Sequence, residues 1–172
     1  MKLIFPSKKY LSSYLEALKE YADNKVDTYR FFDAANCDIF KKFDDYKMGN
    51  NLPKGYVKAT YFWLVDKRDF VGEISIRHEL TPDLLRFGGN IGYGVRFSKW
   101  NLGYGALMLK MALSYAKREI GLDKVLITCN DDNLASARVI EKNGGLLQDK
   151  IFNSLPDGDR ITRRYWIDLR NF

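Results

Sequence analysis

The chain has 172 residues, 46% of them hydrophobic, 15% aromatic and 29% charged. That length and mixture suit one domain spanning 1–172 with a core of its own, and exclude a collagen-like or largely disordered chain. The net charge of +6 admits nucleic acid, an anionic membrane surface or a small polyanionic ligand, and does not choose among them.

Lys2 to Phe5 alternates as a short first strand. Pro6 and Ser7 then stand where a helix begins, and Tyr10, Leu11, Tyr14, Leu15, Leu18 and Tyr21 recur at helical spacing up to Asp23-Asn24. A second helical region with a half-solvated face is expected over 34–47. From Tyr56 the period changes. Thr60–Val65 and Phe70–Arg77, joined across Asp66-Lys-Arg-Asp69, read as a β-hairpin. After a polar excursion, 90–97 reads as another strand, with Gly92 and Gly94 leaving one of its faces bare of side chains. A helix over 106–120 stops at Gly121, a strand covers Val125–Cys129, and a helix over Leu134–Lys142 is capped by 130–133 and ended by Asn143-Gly-Gly. Two strands, 150–153 and 160–169, flank the turn sequence 155–159. The order β-α-α-β-β-β-α-β-α-β-β predicts an α/β (α+β) domain with a mixed, mostly antiparallel sheet flanked by helices.

Cys37, Cys129 and the single His78 match no zinc-ligand spacing, so no metal is expected and the cysteines read as small apolar residues of a reducing cytoplasm. No apolar run approaches the roughly 18–20 residues of a membrane span, which predicts a cytoplasmic protein without a membrane partner. Arg160, Arg163, Arg164 and Arg170 read as a solvated hairpin face, with an acidic or phosphate-rich acceptor as the alternative.

Chemistry concentrates between Asn90 and Ala116. Gly103 and Gly105 fall where a helix starts, and unpaired N–H groups with the positive dipole end can hold an anion there through the main chain. A tight turn into the helix is the plainer use of the same glycines. The segment lacks the Lys-Ser/Thr pair of a Walker loop and the spacing of a dinucleotide fingerprint.

The stretch IGYGVRFSKWNLGYGALML resembles the acetyl-CoA-binding segment of the GNAT superfamily of acyl-CoA N-acyltransferases, and NDDNLASARVIEKNGG resembles that family's second motif. The phrase ISIRHEL…GGNIGYGVR…GYG also resembles a bacterial, largely uncharacterised subgroup of these acetyltransferases. The resemblance implies a single GNAT-like domain with splayed central strands, and acetyl-CoA as co-substrate. It further implies that the backbone N–H groups of Leu102, Gly103, Tyr104, Gly105 and Ala106 hold the pyrophosphate. The strand Val95-Arg96-Phe97 would pair with the pantetheine arm as an added strand does, with the Val95 N–H polarising the thioester carbonyl. Asn133 would bond the pantetheine or thiol region, and Ser136 follows on the same helix face. Two positions depart from the family pattern. Trp100 stands where Gln or Arg usually binds phosphate, leaving Lys99 or Arg96 to compensate, and Ile140 stands at the position assigned to a general-acid tyrosine.

Direct acetyl transfer to an amine needs a proton acceptor, a donor to the developing oxyanion and a protonated or tolerated thiolate. Glu73 on the hairpin is the candidate base, directly or through water, with a solvated strand carboxylate as its plainer reading. Tyr93, between the glycines, is the candidate proton relay or pocket wall. His78 is a weaker candidate, and Tyr104 reads as packing. The expected function is N-acetyl transfer from acetyl-CoA to a primary amine, of a small molecule, in a ternary complex. The alternatives are transfer to a protein or peptide N-terminus and, contrary to the absence of any nucleic-acid signature, a basic nucleic-acid-binding module. The resemblance also admits a homodimer.

Overall fold

A computed structural model describes residues 1–26, 31, 32, 34, 37–155 and 158–170. A short strand β1 (Lys2–Ile4) leads through a 3-10 turn at Lys8–Tyr10 into α1 (Leu11–Asp23). Tyr14, Ala17 and Tyr21 lie three and four residues apart, so one face of α1 carries all three into the core. The next helix, α2 (Ile39–Met48), starts at Asp38, whose carboxylate accepts from the Phe40 and Lys41 amides, and ends at left-handed Gly49. The expected start at 34 is thus displaced to the first good cap, and 33, 35 and 36 lie outside the described residues.

The hairpin forms as β2 (Ala59–Asp66) and β3 (Asp69–Arg77), followed by a wide helical turn at Leu84–Gly88 that the sequence pattern did not reveal. The strand expected over 90–97 is shorter, β4 (Ile91–Val95), because Phe97–Lys99 coil into a 3-10 turn. Then come α3 (Tyr104–Tyr115), extended by a wide turn to Ile120, and β5 (Lys124–Asn130). The chain closes with α4 (Leu134–Lys142), β6 (Leu146–Leu155) and β7 (Gly158–Asp168). β6 begins four residues earlier than the pattern suggests, through a register shift between Leu147 and Asp149.

The seven strands order as β1-β2-β3-β4-β5-β7-β6, and every neighbouring pair is antiparallel except β4 with β5. Side chains alternate across β2. Phe62 and Leu64 pack with Met108, Leu109, Ala112, Leu113 and Ile140 of α3 and α4. Tyr61 and Trp63 pack on the opposite face with Tyr14 and Ala17 of α1 and Phe43 of α2. The sheet is therefore covered on both sides, which accounts for the nearly continuous burial of β2 and β3.

That double cover corrects the reading of Glu73. It is 5% exposed and shares the α1 face with Trp63, its cross-strand partner. Burial pushes the carboxyl up to about 8. The Phe31 amide and the Trp63 indole pull it partly back, although the indole N–H and Glu73 Oε2 both lack hydrogen-bond geometry to any described residue. Its linkage has a definite sign. Between the ordinary carboxyl value of 4.5 and about 8 only the unfolded chain releases the proton, so stability falls as pH rises through that window, by about 1.4 kcal/mol per unit for this group. Glu73→Gln is expected to match the parent near pH 5 and to exceed it by about 2–4 kcal/mol near pH 8. Urea unfolding across the window measures this, and parallel curves for the two proteins would remove the buried-carboxyl account.

Candidate functional site

Strands β4 and β5 share a single pair, Ile91 opposite Ile127. The seam is closed at its base by Asn90, whose N–H reaches the Leu126 carbonyl at 2.6 Å while its Oδ1 accepts the Leu126 N–H at 2.8 Å. Gly89 allows this approach, since a Cβ there would lie 2.7 Å from the Leu126 carbonyl oxygen. Beyond Ile91 the strands part. The Arg96 N–H bonds the Val71 carbonyl of β3 at 2.8 Å, and backbone groups of an extended strand alternate in direction. The N–H groups of Tyr93 and Val95 therefore face the gap.

The end of β4 is clasped by α1. The Val95 carbonyl accepts from the Tyr21 hydroxyl and, at 2.7 Å, from the Trp100 indole N–H. Arg96 donates to Glu20 through Nε at 2.7 Å and Nη2 at 2.6 Å, and to the Ser13 hydroxyl at 3.0 Å. Glu20 also accepts the Ser98 N–H at 3.1 Å. Burial pushes the Glu20 carboxyl up, but the Arg96 and Ser98 bonds outweigh it and hold it below its ordinary value. Arg96 is thus committed to α1 and does not replace the phosphate-binding side chain absent at Trp100. Phe97 leaves the extended strand and packs on the Trp100 ring, centroids 4.9 Å apart. Neither Arg96 nor Phe97 lines the groove described next.

The start of α3 is bare. Gly103 adopts φ 79°, no side chain caps the helix, and the first helical bond is Leu107 N–H to the Gly103 carbonyl at 3.1 Å. The N–H groups of Tyr104, Gly105 and Ala106 consequently have no partner within the helix. They open onto a groove of about 610 Å³, whose walls include Val95, Lys99, Trp100, Arg138 and Lys142. Gly103 leaves open space where a side chain would stand. Gly105 serves packing, because a Cβ would meet Val139 of α4 at 3.2 Å. Leu102 is 59% exposed and lies outside the groove lining. Lys99 is 3.9 Å from Asp69. Arg138 and Lys142 stand one turn apart on α4 and project cations towards the groove. Neither is assigned a role from the sequence, although both lie within the second motif at i, i+4 spacing. Backbone donors, a dipole end and these cations fit a polyanionic ligand.

At its inner end the groove meets a second cavity of about 790 Å³, and Tyr93, Asn133 and Ser136 line both. The Tyr93 hydroxyl lies 2.8 Å from Ser136 Oγ and 3.2 Å from the Ser136 carbonyl. Burial holds this phenol far above its usual range, with the Ser136 bond pulling the other way. Asn133 caps α4, its Oδ1 accepting the Ser136 N–H at 2.9 Å, which leaves its amide group to face the cavities. Cys129, a free and half-buried thiol, is pushed by burial to about 11. Glu73 lines neither cavity. It stands across from Gly94, and Ser75 stands across from Gly92; the Ser75 hydroxyl likewise has no hydrogen-bond partner among the described residues. His78 is paired through Nε2 with the Thr60 hydroxyl at 2.8 Å and is held below its ordinary value by burial and by Lys58. Ile140 is fully buried in the α3–α4 core. Arg163 and Arg164, expected as a solvated face, are paired with Asp131 and Asp149 at 2.6 and 2.5 Å. Among the described residues no cluster of three or more His, Cys, Asp or Glu could hold a metal ion, and no helix is long and apolar enough to cross a membrane.

Solved structures share this architecture at low identity. A mutant of spermidine N-acetyltransferase SpeG from Vibrio cholerae matches with a TM-score of 0.67 and 12% identity, covering 98% of this chain and 95% of that one. The yncA protein of Salmonella typhimurium, solved with its cofactor acetyl-CoA, matches with a TM-score of 0.68 and 12% identity over 99% and 95% of the two chains. A ribosomal-protein-S5-alanine acetyltransferase from Vibrio fischeri matches at 0.71 and 12%, over 98% and 93%. None of the curated proteins matches the sequence. The model of the acetyltransferase (GNAT) domain, however, matches residues 11–145, and these residues hold the parted strands, the uncapped α3 and the Tyr93–Ser136 junction. The chain belongs to the GNAT acetyltransferase family.

Proposed function

We propose that the protein is an acetyl-CoA-dependent N-acetyltransferase acting on a primary amine of a small molecule by direct attack in a ternary complex. One observation carries the reading: the uncapped N-terminus of α3 opens onto a groove that joins a second, larger cavity at Tyr93, Asn133 and Ser136.

Bound acetyl-CoA supplies an activated thioester. The amides of Tyr104, Gly105 and Ala106 are the donors for its pyrophosphate, with Lys99, Arg138 and Lys142 supplying charge around them. The Gly103 and Leu102 amides belong to the same turn. Tyr93 and Val95 direct their N–H groups into the gap between β4 and β5, where an extended arm can be bonded as a strand is, and the Val95 N–H is the donor for charge developing on the carbonyl oxygen. The side chain of Asn133 retains its amide donor for the same arm, and Ser136 orients Tyr93. Tyr93 stays protonated at neutral pH and is the proton donor for the departing sulfur. Glu73 is not placed to take the amine proton: it is buried, keeps its own proton up to about pH 8 and lines neither cavity, so that proton leaves to solvent. The groove and cavity separate a cofactor arm from an acceptor, which favours transfer catalysis over nucleic-acid binding.

Acetyl-CoA is expected to raise the melting temperature by several degrees through mass action. Gly103→Asp, which sets a carboxylate beside the bare amides, is expected to weaken binding at least about tenfold and to remove most of that shift, whereas Gly103→Asn, which shares the strain of a side chain at φ 79° without the charge, retains more of it. An undiminished shift would dissociate the α3 turn from the cofactor. Tyr93→Phe is expected to lower kcat by about a hundredfold while leaving KM for acetyl-CoA within about threefold. Steady-state assays of thiol release measure both constants, and an unchanged kcat would relieve Tyr93 of the proton-donor role.

A further inference from the structure

The second cavity has walls of an unusual kind. Phe31, Phe32, Tyr46, Tyr56, Tyr61 and Phe87 all line it. Most of these rings form one connected set, with centroids 5.0 Å apart for Phe31–Tyr61, 5.3 Å for Phe32–Tyr61, 5.4 Å for Phe32–Tyr46 and 6.0 Å for Tyr46–Tyr56. Tyr46 and Tyr61 are core residues that present only an edge. Tyr56 and Phe87 differ, being 63% and 36% exposed while standing on a concave wall. Large rings left open to solvent in a cavity mark a surface waiting for an apolar partner.

The charges point the same way. The charged residues among the described lining are Arg77, Arg160 and Asp83. Arg77 is fixed in the wall by bonds from Nη1 to the Gly88 and Gly89 carbonyls, at 2.9 and 3.1 Å. Among the described lining residues a polyamine with several ammonium groups would meet two guanidinium groups and one carboxylate. A flat apolar body would instead cover Phe87 and Tyr56, the latter a ring already in contact with Tyr46.

We propose that the acceptor is a primary amine carried on an aromatic or similarly planar apolar body. Its ring lies against Tyr56 and Phe87, and its amino group is directed to the Tyr93–Ser136 junction. This rests on the reading of the groove as the acetyl-CoA site, and adds the acceptor's class to it. In the reaction an N–C bond forms and the C–S bond breaks. The amine gives up one proton to solvent, and the departing sulfur takes one up.

Thiol release from acetyl-CoA should be compared for 2-phenylethylamine, tyramine, spermidine and an alanine-initiated peptide. The expected result is a kcat/KM at least about tenfold higher for the two arylalkylamines, the scale of burying one ring. Tyr56→Ala and Phe87→Ala are each expected to raise KM for those amines at least about fivefold with KM for acetyl-CoA unchanged. A preference for spermidine or the peptide overturns the proposal, as does an equal loss with every amine in both variants. Calorimetric titration of 2-phenylethylamine into the protein alone reads the cavity separately. Binding that is lost in Tyr56→Ala supports the proposal even where acetyl-CoA gives no thermal shift. No binding beside an intact acetyl-CoA shift overturns it and leaves the groove reading in place.

Discussion

The site depends on one constraint, the single register position shared by the parallel strands β4 and β5. Parallel strands normally satisfy each other's backbone along their whole length. Here Asn90 closes the base of the seam from both its main chain and its side chain, after which the strands diverge. Each strand keeps its antiparallel partner, β3 for one and β7 for the other, so the sheet does not come apart. The gap leaves ordinary strand amides without a strand partner in the middle of the sheet. It also sets where the groove and the second cavity can meet.

A parted strand needs to be held from somewhere else, and α1 does this. Tyr21 and Trp100 bond the last carbonyl of β4, while Glu20 takes both the Arg96 guanidinium and the Ser98 amide. The pair is partly buried and its members make further hydrogen bonds, which separates it from the exposed ion pairs elsewhere on the surface. The Trp100 departure from the family pattern acquires a reason in this setting. Its indole supports the strand end and its ring walls the groove, whose lining cations are Lys99 beside it and Arg138 and Lys142 on α4.

Much of the fold was legible in sequence because local rules and tertiary packing agree. The cap at Asn133 and the stop at Asn143-Gly-Gly bound α4 as observed, and the hairpin 59–77 follows from β-branched and aromatic runs around a polar turn. The glycines at 103 and 105 correctly marked the bare helix start, although Gly105 turned out to serve the approach of Val139. Other features were illegible for a physical reason. The end of β4 is decided by Arg96 pairing with Glu20, 76 residues earlier, which no local pattern encodes. Strand alternation cannot tell that both faces of the sheet are covered, so it leaves Glu73 as a candidate base or a solvated carboxylate and not as a buried one. The aromatic walls of the second cavity come from four separate segments and converge only in three dimensions.

The undressed start of α3 has a thermodynamic meaning beyond ligand contact. A good N-cap stabilises a helix by about 1 kcal/mol, and this helix forgoes it: Gly103 supplies the backbone turn and nothing else. The first amides of α3 therefore have no partner within the helix and open onto the groove. Gly105 packs against Val139 of α4, the helix that bears Ser136. In the proposed reading a bound anion completes the first turn of α3, and a side chain that capped it instead would trade responsiveness for stability.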